Sequence, residues 1–220
     1  MTTLDQAPLA PLLDRMFADA ARTDTALRAE FIALTPEERQ AASVDFRAFF
    51  TRAKDAYLPV SRETGRLLYM LARSTRAKAI VEFGTSFGIS TLHLAAALRD
   101  TWGVGGGGIV IGSEFEPGKI ARARANLAEA GLGDLADIRD GDAMETLARD
   151  LPETIDLVLL DGHKPLYFPL LKLLEPRLRK GALIVADNAD MCPEYVAAVR
   201  GDNGYSSAPL GGDVELSMRQ

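Results

Sequence analysis

The sequence predicts an α/β protein: a doubly wound, mostly parallel sheet, preceded by helices and closed by an antiparallel strand. Three observations carry this prediction. From Ala77 onward, short apolar segments of strand type alternate with helical segments of about 10 to 15 residues, the rhythm of parallel strands joined by helical crossovers. The first third reads as helix throughout. The chain ends on 204–210, a Gly211-Gly212 turn and the alternating run 214–218, a hairpin pattern that a purely parallel sheet lacks.

Leu9, Leu12, Leu13, Met16 and Phe17 follow the i, i+3, i+4, i+7, i+8 spacing of one helix face. Thr35-Pro36-Glu37-Glu38 reads as a helix start, with an N-cap Thr, Pro at the first position and Glu at the third; the helix it opens would carry Phe46, Phe49 and Phe50 inward. Ser61 opens another helix, 62–74, with Leu67, Leu68 and Leu71 as its apolar positions. Strands are expected at 79–83, at 109–111 running to Glu114, near 135–139, at 155–160 and at 182–186, with helices at 90–98 and 119–130 between the early ones. No Gly, Pro or Ser linker separates the helical third from the rest, so the chain reads as one domain. Residues 1–57 form a helical lid or dimer segment, and 58–220 form the core.

The 220 residues are 47% apolar and 25% charged, which excludes a disordered chain. With 25 Lys plus Arg against 31 Asp plus Glu, the net charge of −6 argues against a dedicated nucleic-acid binder and points to a small partner molecule. No apolar run approaches the ~20 residues that span a bilayer. The N-terminus does not read as a secretory signal, and the single Cys192 suits a reducing compartment, so a cytoplasmic location is expected. We assign Cys192 no chemistry.

Open α/β sheets bind ligands at the carboxyl ends of their strands, so the residues just after each strand are the candidates. After the first strand comes Gly84-Thr85-Ser86-Phe87-Gly88, a Gly-x-x-x-Gly turn rather than the Gly-x-Gly-x-x-Gly that seats a pyrophosphate. Glu114, ending the second strand, suits the hydroxyl pair of a ribose. Gly141-Asp142-Ala143 is placed to meet an adenine edge. Asp161 and Asp187-Asn188 end the fourth and fifth strands, and a right-handed crossover would set the two carboxylates side by side. Two carboxylates and an amide oxygen make an all-oxygen donor set, the preference of a hard divalent ion such as Mg²⁺. His93, on the helix after the first glycine turn, reads as a packed or surface residue.

Together, Val81 to Ser90, Glu114, Gly141-Asp142, Leu160-Asp161-Gly162-His163-Lys164 and Ala186-Asp187-Asn188 resemble the cation-dependent O-methyltransferases of the catechol O-methyltransferase type. The resemblance covers 58 to the C-terminus, through Val199-Arg200-Gly201 and Val214-Glu215-Leu216. It implies the class I, Rossmann-like sheet of seven strands with an antiparallel last strand. It also implies S-adenosylmethionine as cofactor, with Glu82, Gly84, Ser86 and Ser90 around its methionine part, Val60 closing the sulfonium side and Glu114 on the ribose. Asp142 and Ala143 would border the adenine. Asp161, counted with the cofactor residues as well, would bind Mg²⁺ or another divalent cation together with Asp187 and Asn188. Lys164 would be the general base, and Glu215 would touch the second hydroxyl of a catechol-like acceptor, with His163, Lys164 and Asn188 also lining the acceptor site. His163 stands where the family places an aromatic gatekeeper, and Gly162 precedes it, two departures that bear on both pockets.

The chemistry agrees with this resemblance. Methyl transfer to oxygen is an in-line displacement that needs an aligned, deprotonated hydroxyl, and a divalent ion chelating two vicinal hydroxyls supplies both. The expected partners are therefore a small phenolic acceptor, no nucleic acid, no membrane, and a second copy through the N-terminal helices. Two other readings stand beside this one: a metal-independent small-molecule methyltransferase, and a non-catalytic protein that keeps the cofactor pocket. A dinucleotide dehydrogenase does not fit, because the glycine spacing is wrong and the Asp161 and Asp187 pair would be idle.

Overall fold

The computed structural model describes residues 1–35, 37–38 and 51–220. Helix α1 (Leu9–Ala33) precedes α2 (Arg62–Ser74), and from there the predicted alternation holds: β1 (Ala79–Phe83), α3 (Ile89–Trp102), β2 (Ile109–Glu114), α4 (Pro117–Glu129), β3 (Ala136–Asp140), the short α5 (Ala143–Thr146), β4 (Ile155–Leu160), α6 (Tyr167–Leu174), β5 (Leu178–Ala186), α7 (Pro193–Arg200), β6 (Tyr205–Pro209) and β7 (Glu215–Arg219). The seven strands form one sheet in the order β3-β2-β1-β4-β5-β7-β6. β1 to β5 pair in parallel, and β7 inserts antiparallel between β5 and β6. Among the described residues, no helix is long and apolar enough to cross a membrane.

The period of two along the strands divides the core between the two faces of the sheet. Ile80, Leu157, Leu159, Leu183 and Val185 point to the face covered by α1, α2 and α3, whereas Val81, Phe83, Val158, Leu160 and Ile184 point to the face covered by α6 and α7. Such doubly covered strands read as continuous apolar runs, as 155–160 does. Helix α3 is buried at every position from Ile89 to Leu98, because it lies between the sheet and the N-terminal helices.

Differences from the expected elements have local causes. β5 starts at Leu178 rather than at Ala182, because a register break between Ile155 and Leu157 lets Leu178 pair with Ile155. On α2 only Leu68 of the three expected leucines is fully buried; Leu67 and Leu71 are half-buried. The contact line runs through Gly65, Leu68 and Ala72, because Gly65 faces the imidazole of His93 so closely that a Cβ there would lie 2.7 Å from Nε2. His93 is itself packed in the core, 3% exposed, with Nδ1 2.7 Å from the Ile89 carbonyl oxygen. Ser61 caps α2 by accepting from Thr64 N, and Thr35 and Glu38 form the reciprocal capping pair expected of that helix start. Pro36, Phe46, Phe49 and Phe50 lie outside the described residues.

Candidate active site

The strand order reverses at β1, whose neighbours are β2 on one side and β4 on the other, so a crevice opens at the carboxyl ends of β1 and β4. Asp161 N donates to Phe83 O (2.9 Å) and Asp187 N to Leu160 O (2.9 Å), which draws the ends of β1, β4 and β5 together. Gly84, at φ +95°, makes this approach possible: a Cβ there would lie 2.2 Å from the Asp161 carbonyl oxygen. The result is a cavity that opens to solvent. Gly84, Ser86, Glu114, Asp142, Ala143, Asp161 and His163 all line it. A smaller recess of about 230 Å³ shares Gly84, Ser86 and Asp161 with it and adds Val60 and Ser90.

On the β2 side, the Glu114 carboxylate accepts from three backbone amides: Oε1 from Phe115 N (2.9 Å) and Glu116 N (3.0 Å), and Oε2 from Ser86 N (2.9 Å). These bonds fix the carboxylate while leaving acceptor capacity for hydroxyl donors. Glu82 behaves differently from Glu114. It is fully buried beneath the glycine turn, where Oε2 accepts from the hydroxyls of Thr85 (2.8 Å) and Thr91 (2.5 Å), and Oε1 has no hydrogen-bond partner among the described residues. Burial pushes its carboxyl up, against the hydroxyl bonds that pull it down. Asp142 caps α5 by accepting from Met144 N (2.9 Å).

Sequence reasoning missed Lys119. Its side chain also lines the cavity; the residue is 3% exposed, and Nζ donates to Ser86 Oγ at 3.3 Å. Burial pulls its pKa down, and Glu114 is the foremost of the acidic groups that oppose this. The signal was present in the start of α4: Glu116 accepts from Lys119 N (2.7 Å) and Pro117 opens the helix, so Lys119 sits in the first turn next to the end of β2.

On the β4 and β5 side, Asp161 Oδ1 lies 3.6 Å from Lys164 Nζ. Burial pushes the Asp161 carboxyl up to about 8; Lys164 opposes the rise, and Asp187 and Glu82 add to it. The Asp187 carboxyl is also raised, by burial first, with Lys164 opposing and Asp213 and Asp190 adding. Tyr167, three residues beyond Lys164 and equally unforeseen, accepts from Lys164 Nζ (2.8 Å) and donates to Asp187 O (2.8 Å), so its buried hydroxyl fixes where the ammonium sits. Asn188, in the left-handed region at φ +51°, donates from Nδ2 to Asp213 Oδ2 (2.5 Å), which leaves its Oδ1 as an acceptor. Burial and then Lys164 push the imidazole of His163 down.

Glu215 does not join this group. It is 1% exposed and held by Arg200 (2.8 and 2.6 Å) and the Ser207 hydroxyl (2.6 Å), with its carboxyl pulled down by the guanidinium. It lines a separate cavity between α7 and the β6–β7 hairpin.

The crevice thus has the Glu114 carboxylate on its β2 side and the Asp161 carboxylate, with the Lys164 ammonium close to it, on its β4 side. A family profile described as a methyltransferase domain matches residues 81–189. The chain is 35% identical over 134 residues to a catechol O-methyltransferase of Niastella koreensis, which covers 60% of this chain and 58% of that protein. It is 34% identical over 152 residues to a Mycolicibacterium smegmatis protein assigned as an O-methyltransferase, covering 64% of this chain and 69% of that one. Its fold matches an O-methyltransferase from Bacillus cereus solved with S-adenosylhomocysteine, at TM-score 0.68, 21% identity and coverage of 82% and 91%. The chain belongs to the O-methyltransferase family. It spans just under three fifths of the Niastella relative's length.

Proposed function

We propose that the protein is an S-adenosylmethionine-dependent O-methyltransferase that methylates one hydroxyl of a vicinal diol on a small catechol-like molecule, with a divalent cation such as Mg²⁺. The observation that carries this reading is one cavity with Glu114 on its β2 wall and Asp161, beside Lys164, on its β4 wall.

The residues fit both absent groups. Glu114 Oε2 offers acceptor capacity to a ribose diol, Asp142 and Ala143 border the space beyond it, and Gly84 leaves backbone exposed where a Cβ would close the crevice. Bound there, the cofactor supplies a methyl carbon on a sulfonium leaving group. Asp161 and Asp187 are carboxylates at adjacent strand ends that burial drives toward the neutral form, and with Asn188 Oδ1 they would offer a cation an all-oxygen set. These three residues would hold a divalent cation, which would supply positive charge that lowers the pKa of the acceptor hydroxyl.

The chain's own residues do the rest. Lys164 Nζ, held by the Tyr167 hydroxyl, takes up the proton that the attacking oxygen loses. His163 and Leu166 form the wall on the acceptor side of the cavity. The family's match to a catechol O-methyltransferase supports the diol substrate, and the donor set supports the cation.

The test is a screen of vicinal diphenols with radiolabelled S-adenosylmethionine, before and after rigorous chelation and with Mg²⁺ restored. Label transfer that needs the metal supports the reading. Transfer that survives chelation favours a metal-independent methyltransferase, and S-adenosylhomocysteine binding without any transfer favours a non-catalytic binding protein.

A further inference from the structure

From helix α1, the Asp24 side chain reaches the turn that borders the cofactor site. Asp24 is 6% exposed, and its carboxylate accepts from two consecutive backbone amides of the segment that leads into α2: Oδ1 from Tyr57 N and Oδ2 from Leu58 N, both at 2.8 Å. The Thr23 hydroxyl also donates to Oδ1 (2.9 Å). Leu58 takes the left-handed conformation at φ +45°, costly for a branched, bulky side chain, so the turn needs an outside anchor to hold it. A carboxylate that takes both amides supplies one, and hydrogen bonds to a charged acceptor are the stronger kind.

The chain of contacts continues beyond the turn. Tyr57 O accepts from Ser86 Oγ (2.7 Å), Ser86 Oγ also accepts from the buried Lys119 Nζ (3.3 Å), and Ser86 N donates to Glu114 Oε2 (2.9 Å). Ser86 is itself held at φ +48°. Thus a single run of hydrogen bonds connects α1 to the carboxylate placed for the ribose, and Leu58 and Ser86 on that run both line the main cavity. Tyr57 packs its ring edge-on against Phe87, with centroids 4.4 Å apart, which ties the same segment to the glycine turn.

We infer that Asp24 is a positioning residue for cofactor binding: α1 holds the 57–58 turn, and through it Ser86 and Glu114, in the binding-ready arrangement. The N-terminal helix is then a built-in part of the cofactor site. This inference rests on the S-adenosylmethionine reading above.

The experiment is a double-mutant cycle of Asp24→Asn and Ser86→Ala in the full chain, with S-adenosylhomocysteine affinity measured by calorimetry and the melting temperature recorded without ligand. Asp24→Asn keeps the shape and one acceptor while losing the second. It is expected to weaken binding by about tenfold, the scale of one hydrogen bond to a charged group. The double variant is expected to weaken binding by clearly less than the product of the two single effects, because both substitutions break the same connection. Unchanged affinity in Asp24→Asn, with only the melting temperature lowered, overturns the inference, as does a strictly multiplicative cycle. Hydrogen exchange on the unmodified protein needs no variant: the Tyr57 and Leu58 amides should be protected and gain protection when S-adenosylhomocysteine is added. Open exchange at both amides overturns it too. Absence of S-adenosylhomocysteine binding by the unmodified protein takes down the cofactor reading itself, an outcome distinct from binding that ignores Asp24.

Discussion

Gly162 lies against the ring of Phe83 so closely that a Cβ at position 162 would sit 2.5 Å from Cε1 and from Cζ. The large residue at the end of β1 and the missing side chain after β4 are thus two halves of one packing solution, and the glycine at 162 is explained by its neighbour. Gly162→Ala should lower stability by about 1 to 3 kcal/mol, the scale of overpacking a filled core. Denaturant unfolding checks this, and a Phe83→Leu background, which removes the ring, should relieve most of the loss.

Glu114→Ala should weaken S-adenosylhomocysteine binding by about 1.5 to 3 kcal/mol, the loss expected for hydrogen bonds to a charged group. Because the same carboxylate also takes the amides of Ser86, Phe115 and Glu116, Glu114→Gln is the milder variant and should lose less. Calorimetry on both, with circular dichroism to verify the fold, gives the comparison.

The Asp161 carboxyl, raised to about 8, makes stability without metal fall as pH rises. Between the ordinary carboxylate range near pH 4 and pH 8, the folded protein holds a proton there that the unfolded chain has released, so the unfolding free energy decreases with pH. The loss should reach a few kcal/mol at most, since Lys164 compensates part of the buried charge. Thermal melts from pH 5 to 8.5 should show the decline, Asp161→Asn should flatten it, and millimolar Mg²⁺ should restore the melting temperature of the unmodified protein but not of that variant.

Lys164→Ala should reduce kcat by roughly 10² to 10⁴, the contribution of a general base, with cofactor affinity little changed. Lys164→Arg should not rescue it, because guanidinium does not deprotonate at usable pH. Tyr167→Phe removes the hydroxyl that fixes Nζ and should give a smaller loss in kcat than Lys164→Ala. Stopped assays with labelled cofactor measure all three.

The sheet was legible because strands covered on both faces leave apolar runs such as 155–160, and because the carboxyl-end rule points directly at Glu114, Asp161 and Asp187. The structure sets Glu114 and Asp161 in one cavity, whereas Asp187 stands at the neighbouring strand end, its N–H on Leu160 O, and is not part of that cavity's lining. What stayed hidden depends on distant parts of the chain meeting. Asp24 meets Tyr57 across 33 positions, and nothing local to α1 marks it as more than a polar helix residue. Lys119 carried a local sign in the Glu116-Pro117 helix start beside the end of β2, but its burial depends on α4 folding back over the first glycine turn. Glu215 carries no local sign that Arg200 will hold it in the cavity between α7 and the hairpin.

The strand order has an evolutionary consequence. Because the sheet reverses at β1, the loops after β1, β2 and β3 serve one side of the crevice and those after β4 and β5 the other, joined along a seam where Gly84 meets Asp161. On the proposed reading, the acceptor wall can change only at those positions of the segments from 162 to 168 and from 188 to 193 that are not tied down as Gly162, Lys164, Tyr167 and Asn188 are. A lineage built on this sheet would then change acceptors at a few positions per loop, with Gly84 and Asp161 kept at the seam and the four tied residues kept behind it.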